Sequence, residues 1–209
     1  MKVSLFICLI NGTLAEELNL RSLYAIISLF LLLAANAAAG SFTANMDVDT
    51  YVNADDVNQS YGESSLLWVT SANGTPVNET YLSFVNLFGS QSIFNSDQIK
   101  SATLTLDAAK VEKAGQVTAY FLEGATFDNV NWYDKGEYDS NVTSIPLEIE
   151  KKGSYKLDVT PIIRKAVETC TEGCPYSIIL VADGDASVGF TSSEASSKKK
   201  PTLEYFTEE

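Results

Sequence analysis

The chain has 209 residues, with 27 acidic and 14 basic side chains, a net charge of −13 and no histidine. The absence of histidine excludes Ser-His and Cys-His nucleophile systems, histidine general bases and histidine-ligated zinc. An acidic surface repels phosphate backbones, so we expect no nucleic-acid partner.

The first 39 residues are typical of a secretory signal peptide. The apolar run LYAIISLFLLL (23–33) follows Arg21, and A-x-A cleavage signals follow at 35–39. The run is short for a membrane-spanning helix, which needs about 20 residues. A second apolar run, VSLFICLI, precedes it, which a misassigned start or a long leader would explain, and an uncleaved membrane anchor is the main alternative. We predict a secreted or cell-surface protein with one mature domain, residues 40–209.

The rest of the chain consists of short β-type runs separated by turn signals. The runs are rich in Val, Ile, Tyr, Phe and Thr, and several alternate apolar with polar residues as half-buried strands do. They are VDTYV, SSLLWVT, TYLSFVNL, SATLTLDAA, QVTAYFLE, TSIPLEIE, GSYKLDV, YSIILVAD, SVGFTSS and PTLEYFT. Turn-forming pairs such as Asn73-Gly74 and Asp183-Gly184 lie between them. This pattern predicts an all-β sandwich or barrel of about ten strands.

The segment DVTPIIRKAVETC (158–170) interrupts the β pattern. Its apolar residues recur at the spacing of an amphipathic helix, with Thr160 as the expected N-cap and Pro161 at the first helical position. We expect one short helix that closes an end of the sandwich. Cys170 and Cys174 follow it, and in an exported protein such a close pair is expected to form a local disulfide.

The order of these segments resembles the DNRLRE-domain family, which includes disaggregatase-related domains of archaeal surface proteins and the family-96 carbohydrate-binding modules. The resemblance covers nearly all of the mature chain. It implies a non-catalytic jelly-roll β-sandwich of secreted or surface proteins, which in some members binds acidic or neutral polysaccharide. The matching residues are Asp49, Tyr51, Val52, Tyr61, Gly62, Tyr81, Leu82, Phe84, Ile99, Ser101, Ala102, Leu104, Asp158, Val159, Thr160, Ser193, Glu194, Ala195, Pro201, Leu203 and Tyr205.

Sugar binding needs exposed aromatic faces with carboxylates and amides beside them. The best local cluster of such residues lies in the segment FDNVNWYDKGEY (127–138). We predict that Trp132 stacks on a sugar there, and the alternative is that Trp132 belongs to the core; Trp68 is expected in the core. The candidate ligand-binding residues are Asp128, Asn131, Trp132, Tyr133, Asp134 and Tyr138.

Calcium is a second candidate ligand, because it binds six to eight oxygens and acidic residues crowd two short segments. Neither segment has EF-hand spacing. A structural calcium would be the only cofactor. Its candidate ligands are Asp47, Asp49, Asn53, Asp55, Asp183 and Asp185.

Four N-glycosylation sequons are present, at Asn58, Asn73, Asn78 and Asn141. Asn73 and Asn78 belong to the stretch SANGTPVNETY, which we expect to be exposed if they are used.

These observations favour a secreted, non-catalytic module that binds polysaccharide or a cell-surface glycan. A carboxylate-based glycan-active enzyme is the alternative chemistry, but no spacing singles out a catalytic pair. The alternative function is a structural subunit of a surface layer, sheath or filament. Such a subunit would assemble with its own copies by strand addition, for which the segment 40–46 is a candidate.

Overall fold

The computed structural model describes residues 40–197 and 199–208; the predicted leader lies outside them. Twelve strands and one α-helix, α1 (Thr160–Thr169), form in this part of the chain, with 3-10 turns at Gly89–Gln91 and Ser96–Gln98. No helix among the described residues has the length and apolar character of a membrane span. The strands are β1 Ser41–Thr43, β2 Met46–Asn53, β3 Leu66–Ala72, β4 Thr75–Val85, β5 Ile99–Lys113, β6 Gly115–Glu123, β7 Asp139–Thr143, β8 Leu147–Ile149, β9 Gly153–Asp158, β10 Pro175–Ala182, β11 Ser187–Thr191 and β12 Thr202–Thr207.

The strands pair antiparallel in one curled sheet. Neighbours follow the order β1-β12-β5-β11-β3-β4-β10-β6-β7, with β2 paired to β4, β8 to β6 and β9 to β5. The two halves of the sheet enclose a common core, which confirms the predicted all-β jelly-roll sandwich. The predicted runs correspond to β2–β6 and β8–β12. The two further strands, β1 and β7, are short and polar, so their hydrophobic pattern is too weak to announce a strand.

The main core is built by alternation along each strand. In β5 the inward positions Ala102, Leu104, Leu106 and Ala108 are buried, while the residues between them are partly exposed. Burying each leucine side chain contributes about 1.5–3 kcal/mol. Backbone pairing places β5 between β12 and β11 on one side and β9 on the other.

Strands β4 and β10 are buried on both faces. On β10, Ile178 and Leu180 belong to the main core, whereas Ile179 and Val181 belong to a second cluster with Tyr81. Because successive side chains on a strand point to opposite faces, this second cluster lies on the outside of the sandwich. Half-buried residues of the segment 124–138 cover it.

Helix α1 starts one residue earlier than its capping pattern predicted. Val159 is the N-cap, and Thr160 is already helical. The Asp158 carboxylate caps the turn instead, accepting from the Thr160 N–H at 2.9 Å and from its hydroxyl at 2.6 Å. The Thr160 hydroxyl in turn accepts from the Ala102 N–H of β5 at 2.8 Å, so the helix start is tied to the sheet.

The predicted disulfide between Cys170 and Cys174 is present and closes the loop after α1. In that loop the Thr171 carbonyl accepts a hydrogen bond from the Gly89 N–H at 2.9 Å. At the other end of the domain sequence, β1 pairs with β12 of the same chain, and Phe42 stacks on Tyr205 with ring centroids 5.4 Å apart. The first part of the segment 40–46 is thus a strand of its own sheet.

Candidate functional site

The described residues form an open hollow of about 730 Å³. Its walls come from the start of β2, the β2–β3 loop, the β6–β7 loop and the β11–β12 loop. Five of its lining residues are carboxylates, and no lysine or arginine of the described chain lines it. We call it the acidic hollow; its lining residues are Asp47, Val48, Asp49, Gln59, Ser60, Tyr61, Gly62, Glu63, Ser64, Asp128, Asn129, Ser193 and Glu194.

Asp49 lines the hollow and is buried. Its carboxylate accepts from the Ser193 hydroxyl at 2.6 Å and from the Ser193 N–H at 2.7 Å. Next to it, the Ser192 hydroxyl donates to the Ser64 carbonyl at 2.6 Å. Two walls of the hollow that are far apart in sequence are therefore joined by hydrogen bonds, and the exposed Glu194 beside Ser193 also lines the hollow.

Gly62 allows the β2–β3 loop to lie close to the β6–β7 loop, which forms another wall of the hollow. A Cβ added at Gly62 would lie 2.4 Å from the Asp128 carbonyl oxygen, so a side chain there would push the two loops apart. Beside it, the ring of Tyr61 stacks on Tyr51 with centroids 4.2 Å apart. Burial, and to a lesser extent the neighbouring Tyr61, raise the pKa of Tyr51 to about 12. Tyr51 is therefore neutral at physiological pH, and the ring of Tyr61 supplies the aromatic surface of the hollow.

The structure divides the predicted sugar-binding cluster. Asp128 lines the acidic hollow. Asn131 and Asp134 instead form hydrogen bonds within a single turn. The Asn131 N–H donates to the Asp134 carboxylate at 2.9 Å, and the Asn131 side-chain oxygen accepts from the Tyr133 N–H at 2.9 Å. Tyr133 is 84% exposed but lies outside the lining of the hollow. Of these four residues, only Asp128 reaches the hollow.

Trp132 and Tyr138 pack, half-buried, on the second hydrophobic cluster. The Lys135 ammonium lies 3.8 Å from the Trp132 ring centroid and 2.5 Å from a carboxylate oxygen of the buried Glu79. Glu79 also accepts from the Tyr81 hydroxyl at 3.1 Å, and the pKa of Tyr81 is raised by burial and by this carboxylate. The alternative reading of Trp132 as a packing residue therefore matches its surroundings, and these contacts hold the loop that carries Asp128.

Trp68 is half-buried, so its predicted place in the core is wrong. Its ring lines a second, shallower hollow of about 280 Å³. The tryptophan lies beside Gly189 of the neighbouring strand, where a Cβ would meet the ring at 3.5 Å. Successive side chains of a strand point to opposite faces, and Leu67 and Val69 are buried, so the ring of Trp68 lies on the outer face of the sheet.

The candidate calcium ligands do not converge on one point. Asp47 and Asp49 line the acidic hollow, while the side chain of Asn53, at the far end of β2, accepts from the Asp55 N–H at 2.8 Å. In the β10–β11 turn, Asp183 accepts from the Thr118 hydroxyl at 2.8 Å. Asp185 accepts from Lys113 and from the Asn73 N–H, and these bonds lower its pKa. Among the described residues no group of three or more Asp, Glu or Cys side chains is arranged to hold a metal ion.

The sequons lie in different settings. Asn58, Asn73 and Asn141 are exposed, on the β2–β3 loop, the β3–β4 turn and β7. Asn78 is half-buried within β4, and Thr80, the third residue of its sequon, is fully buried. Glycosylation of the four sites stays a prediction.

Most residues of the acidic hollow were missed as site residues. Tyr61, Gly62, Ser193 and Glu194 were recognised only as parts of the family pattern, Asn129 only as a member of the segment 127–138, and Glu63 not at all. The signal that could have found them is the pattern itself: three of its separate pieces, around Asp49, Tyr61 and Ser193, meet in one hollow.

No curated protein matches the chain significantly. The sequence model of carbohydrate-binding module family 96 matches residues 40–207, which is the whole sandwich except its last described residue. The chain therefore belongs to carbohydrate-binding module family 96.

Proposed function

We propose that this protein is a non-catalytic module that binds polysaccharide in the acidic hollow. The single observation that carries the proposal is that Asp128 and Glu63, together with the ring of Tyr61, line one open concavity in a member of a carbohydrate-binding family. Carboxylates and amides accept hydrogen bonds from sugar hydroxyls, and an aromatic ring packs on the C–H surface of a pyranose.

The charge of the hollow selects among polysaccharides. Five carboxylates line it, and the whole chain carries a net charge of −13. A uronate chain would meet like charges at short range, whereas neutral chains and protonated amino sugars would not. We therefore propose that the ligand lacks acidic groups and is presented at a cell surface or in an extracellular matrix.

Retardation in native gels tests this function. The protein is run through gels cast with xylan, β-glucan, chitosan, alginate or pectin. We expect retardation by xylan, β-glucan or chitosan and free migration in alginate and pectin. Retardation by alginate or pectin alone would contradict the proposed selectivity, and free migration in all five gels would contradict binding.

Two substitutions test whether the acidic hollow is the binding site. Asp128→Ala and Tyr61→Ala should abolish the retardation, because they remove a hydroxyl acceptor and the aromatic surface. Glu148→Gln is the matched control for the loss of one negative charge, since Glu148 is exposed on β8 and does not line the hollow. If Glu148→Gln weakened retardation as much as Asp128→Ala did, a general charge effect would replace the proposed site.

A further inference from the structure

The hollow around Trp68 is lined by residues of five strands, β2, β3, β4, β5 and β11. It holds two aromatic rings, three side-chain hydroxyl or amide groups besides Asn78, and one carboxylate. Its lining residues are Tyr51, Asn53, Trp68, Thr70, Asn78, Glu112 and Ser187.

Two registered rows of side chains build this hollow. Asn53 pairs with Asn78, Asn78 with Thr70 and Thr70 with Ser187, which gives a polar row across β2, β4, β3 and β11. One step along the strands, Tyr51 and Trp68 flank the buried Thr80, whose hydroxyl donates to the Trp68 carbonyl at 2.9 Å. Aromatic rings beside a strip of amides and hydroxyls form a surface that suits a pyranose.

The charges around Trp68 cancel. Glu112 is paired with Lys110 at 2.6 Å, and this pairing lowers the pKa of Glu112. The Lys110 ammonium also lies 4.9 Å from the centre of the Trp68 ring. An exposed cation–π contact contributes only about 0.5–1 kcal/mol. Lys110 keeps its Glu112 partner if it moves, so a neutral sugar can displace it from the ring at small cost.

One polar atom of the hollow lacks a partner. The side-chain carbonyl oxygen of Asn78 is buried and accepts no hydrogen bond from the described residues. Such a group costs about 1–3 kcal/mol when it is left unsatisfied. A rotation of the Asn78 amide towards the hollow, which Asn78 lines, would bring this oxygen to a sugar hydroxyl, a donor of the required kind.

The two hollows meet at the stacked tyrosines. Tyr61 lines the acidic hollow and Tyr51 lines the hollow around Trp68, and their rings are in contact. We propose that the Trp68 hollow is a second subsite for a neutral pyranose, and that one polysaccharide chain occupies both hollows across the tyrosine pair. This inference rests on the proposed function, because the acidic hollow supplies the first subsite.

The dependence of affinity on chain length tests the second subsite. The protein, produced in bacteria so that the Asn78 sequon is not used, is titrated with xylo- and cello-oligosaccharides. We expect a hexasaccharide to bind about tenfold more tightly than a disaccharide. Trp68→Ala and Asn78→Ala should remove that difference and leave disaccharide binding unchanged. Asn78→Ala removes a side-chain oxygen that has no partner among the described residues, so it tests the subsite without the loss of packing that Trp68→Ala causes.

Tryptophan fluorescence gives a direct readout of the second subsite. The chain has two tryptophans, so Trp132→Phe leaves Trp68 as the only one. The hexasaccharide should shift its emission to the blue. Unchanged hexasaccharide affinity in both Trp68→Ala and Asn78→Ala, in a protein that xylan or β-glucan still retards, would overturn the second subsite and leave the acidic hollow standing. A wild-type protein that binds none of the polysaccharides would overturn both.

Discussion

Ser193 holds the buried carboxylate of Asp49 by two hydrogen bonds, one from its hydroxyl and one from its backbone N–H. The bond pair joins β2 to the loop before β12 across 144 residues of sequence. It explains why the Ser-Ser-Glu-Ala stretch precedes the last strand: the stretch closes the wall of the acidic hollow.

Ser193→Ala should lower the free energy of unfolding by about 1.5–3 kcal/mol, because a hydrogen bond to a buried charged group is lost. Urea unfolding followed by circular dichroism measures the change. Ser196→Ala, an exposed serine of the same loop, is the control and should stay within about 0.5 kcal/mol of wild type. Equal effects of the two substitutions would show that the Asp49 bond contributes nothing of its own.

Lys135→Met should destabilise the loop over the second hydrophobic cluster. It leaves the Glu79 carboxylate, whose side chain is 3% exposed, with the Tyr81 hydroxyl but without its ion-pair partner. We expect a cost of about 2–3 kcal/mol, below that of a fully buried pair because Lys135 remains partly solvated.

A double-mutant cycle with Glu79→Gln isolates the pair, and Lys152→Met on an exposed lysine is the control. In a Trp68→Phe background, the emission of Trp132 should shift to the red when Lys135 is replaced. An unshifted emission together with additive effects would mean that Lys135 does not hold the loop.

Alkaline pH should destabilise the domain through its buried tyrosines. Burial raises the pKa of Tyr51 to about 12, above the usual value of 10.0, so the folded state keeps the phenolic proton longer than the unfolded chain does. The stability from neutral Tyr51 is complete below pH 10 and is lost as the pH rises towards about 12. Urea midpoints across this range measure the loss, and Tyr51→Phe should flatten the decline. An equally steep decline in Tyr51→Phe would assign it to other groups.

Reduction of the Cys170–Cys174 disulfide should have a small effect on stability. The loop is short, with a sequence separation of 4, so the chain-entropy gain is about 2 kcal/mol. Calorimetry with and without reductant measures it, and Cys170→Ser/Cys174→Ser should match the reduced protein. The cysteines do not line either hollow, so retardation by polysaccharide should be unchanged. A loss of retardation on reduction would show that the loop affects the site.

The calcium hypothesis has its own test. If Asp47 and Asp49 take part in a calcium site, adding calcium to protein treated with a chelator will raise the melting temperature, and Asp47→Asn will reduce the rise. Asp185→Asn is the matched control, because Asp185 is engaged by Lys113 on another turn. A melting temperature indifferent to calcium would contradict a structural calcium.

Local pattern was enough to determine the class of fold, because a period of two residues reports burial of one face of a strand directly. It also determined the disulfide, since Cys170 and Cys174 are neighbours in sequence. The order of the strand motifs was enough to identify the family. These features depend on residues that are close together in the chain or on the sequence of segments.

The binding surface depends on contacts between residues far apart in the chain, so only the tertiary structure decided it. Asp49, Tyr61, Asp128 and Ser193 come from four segments, and each taken alone is an ordinary loop or strand residue. The two tryptophans show the same limit. Trp132, in a polar loop, covers the outer cluster on β4 and β10, while Trp68, in an apolar strand, lies on the outer face of the sheet between the buried Leu67 and Val69. A period of two tells which residues share a face, but the partners across that face depend on how the sheet curls.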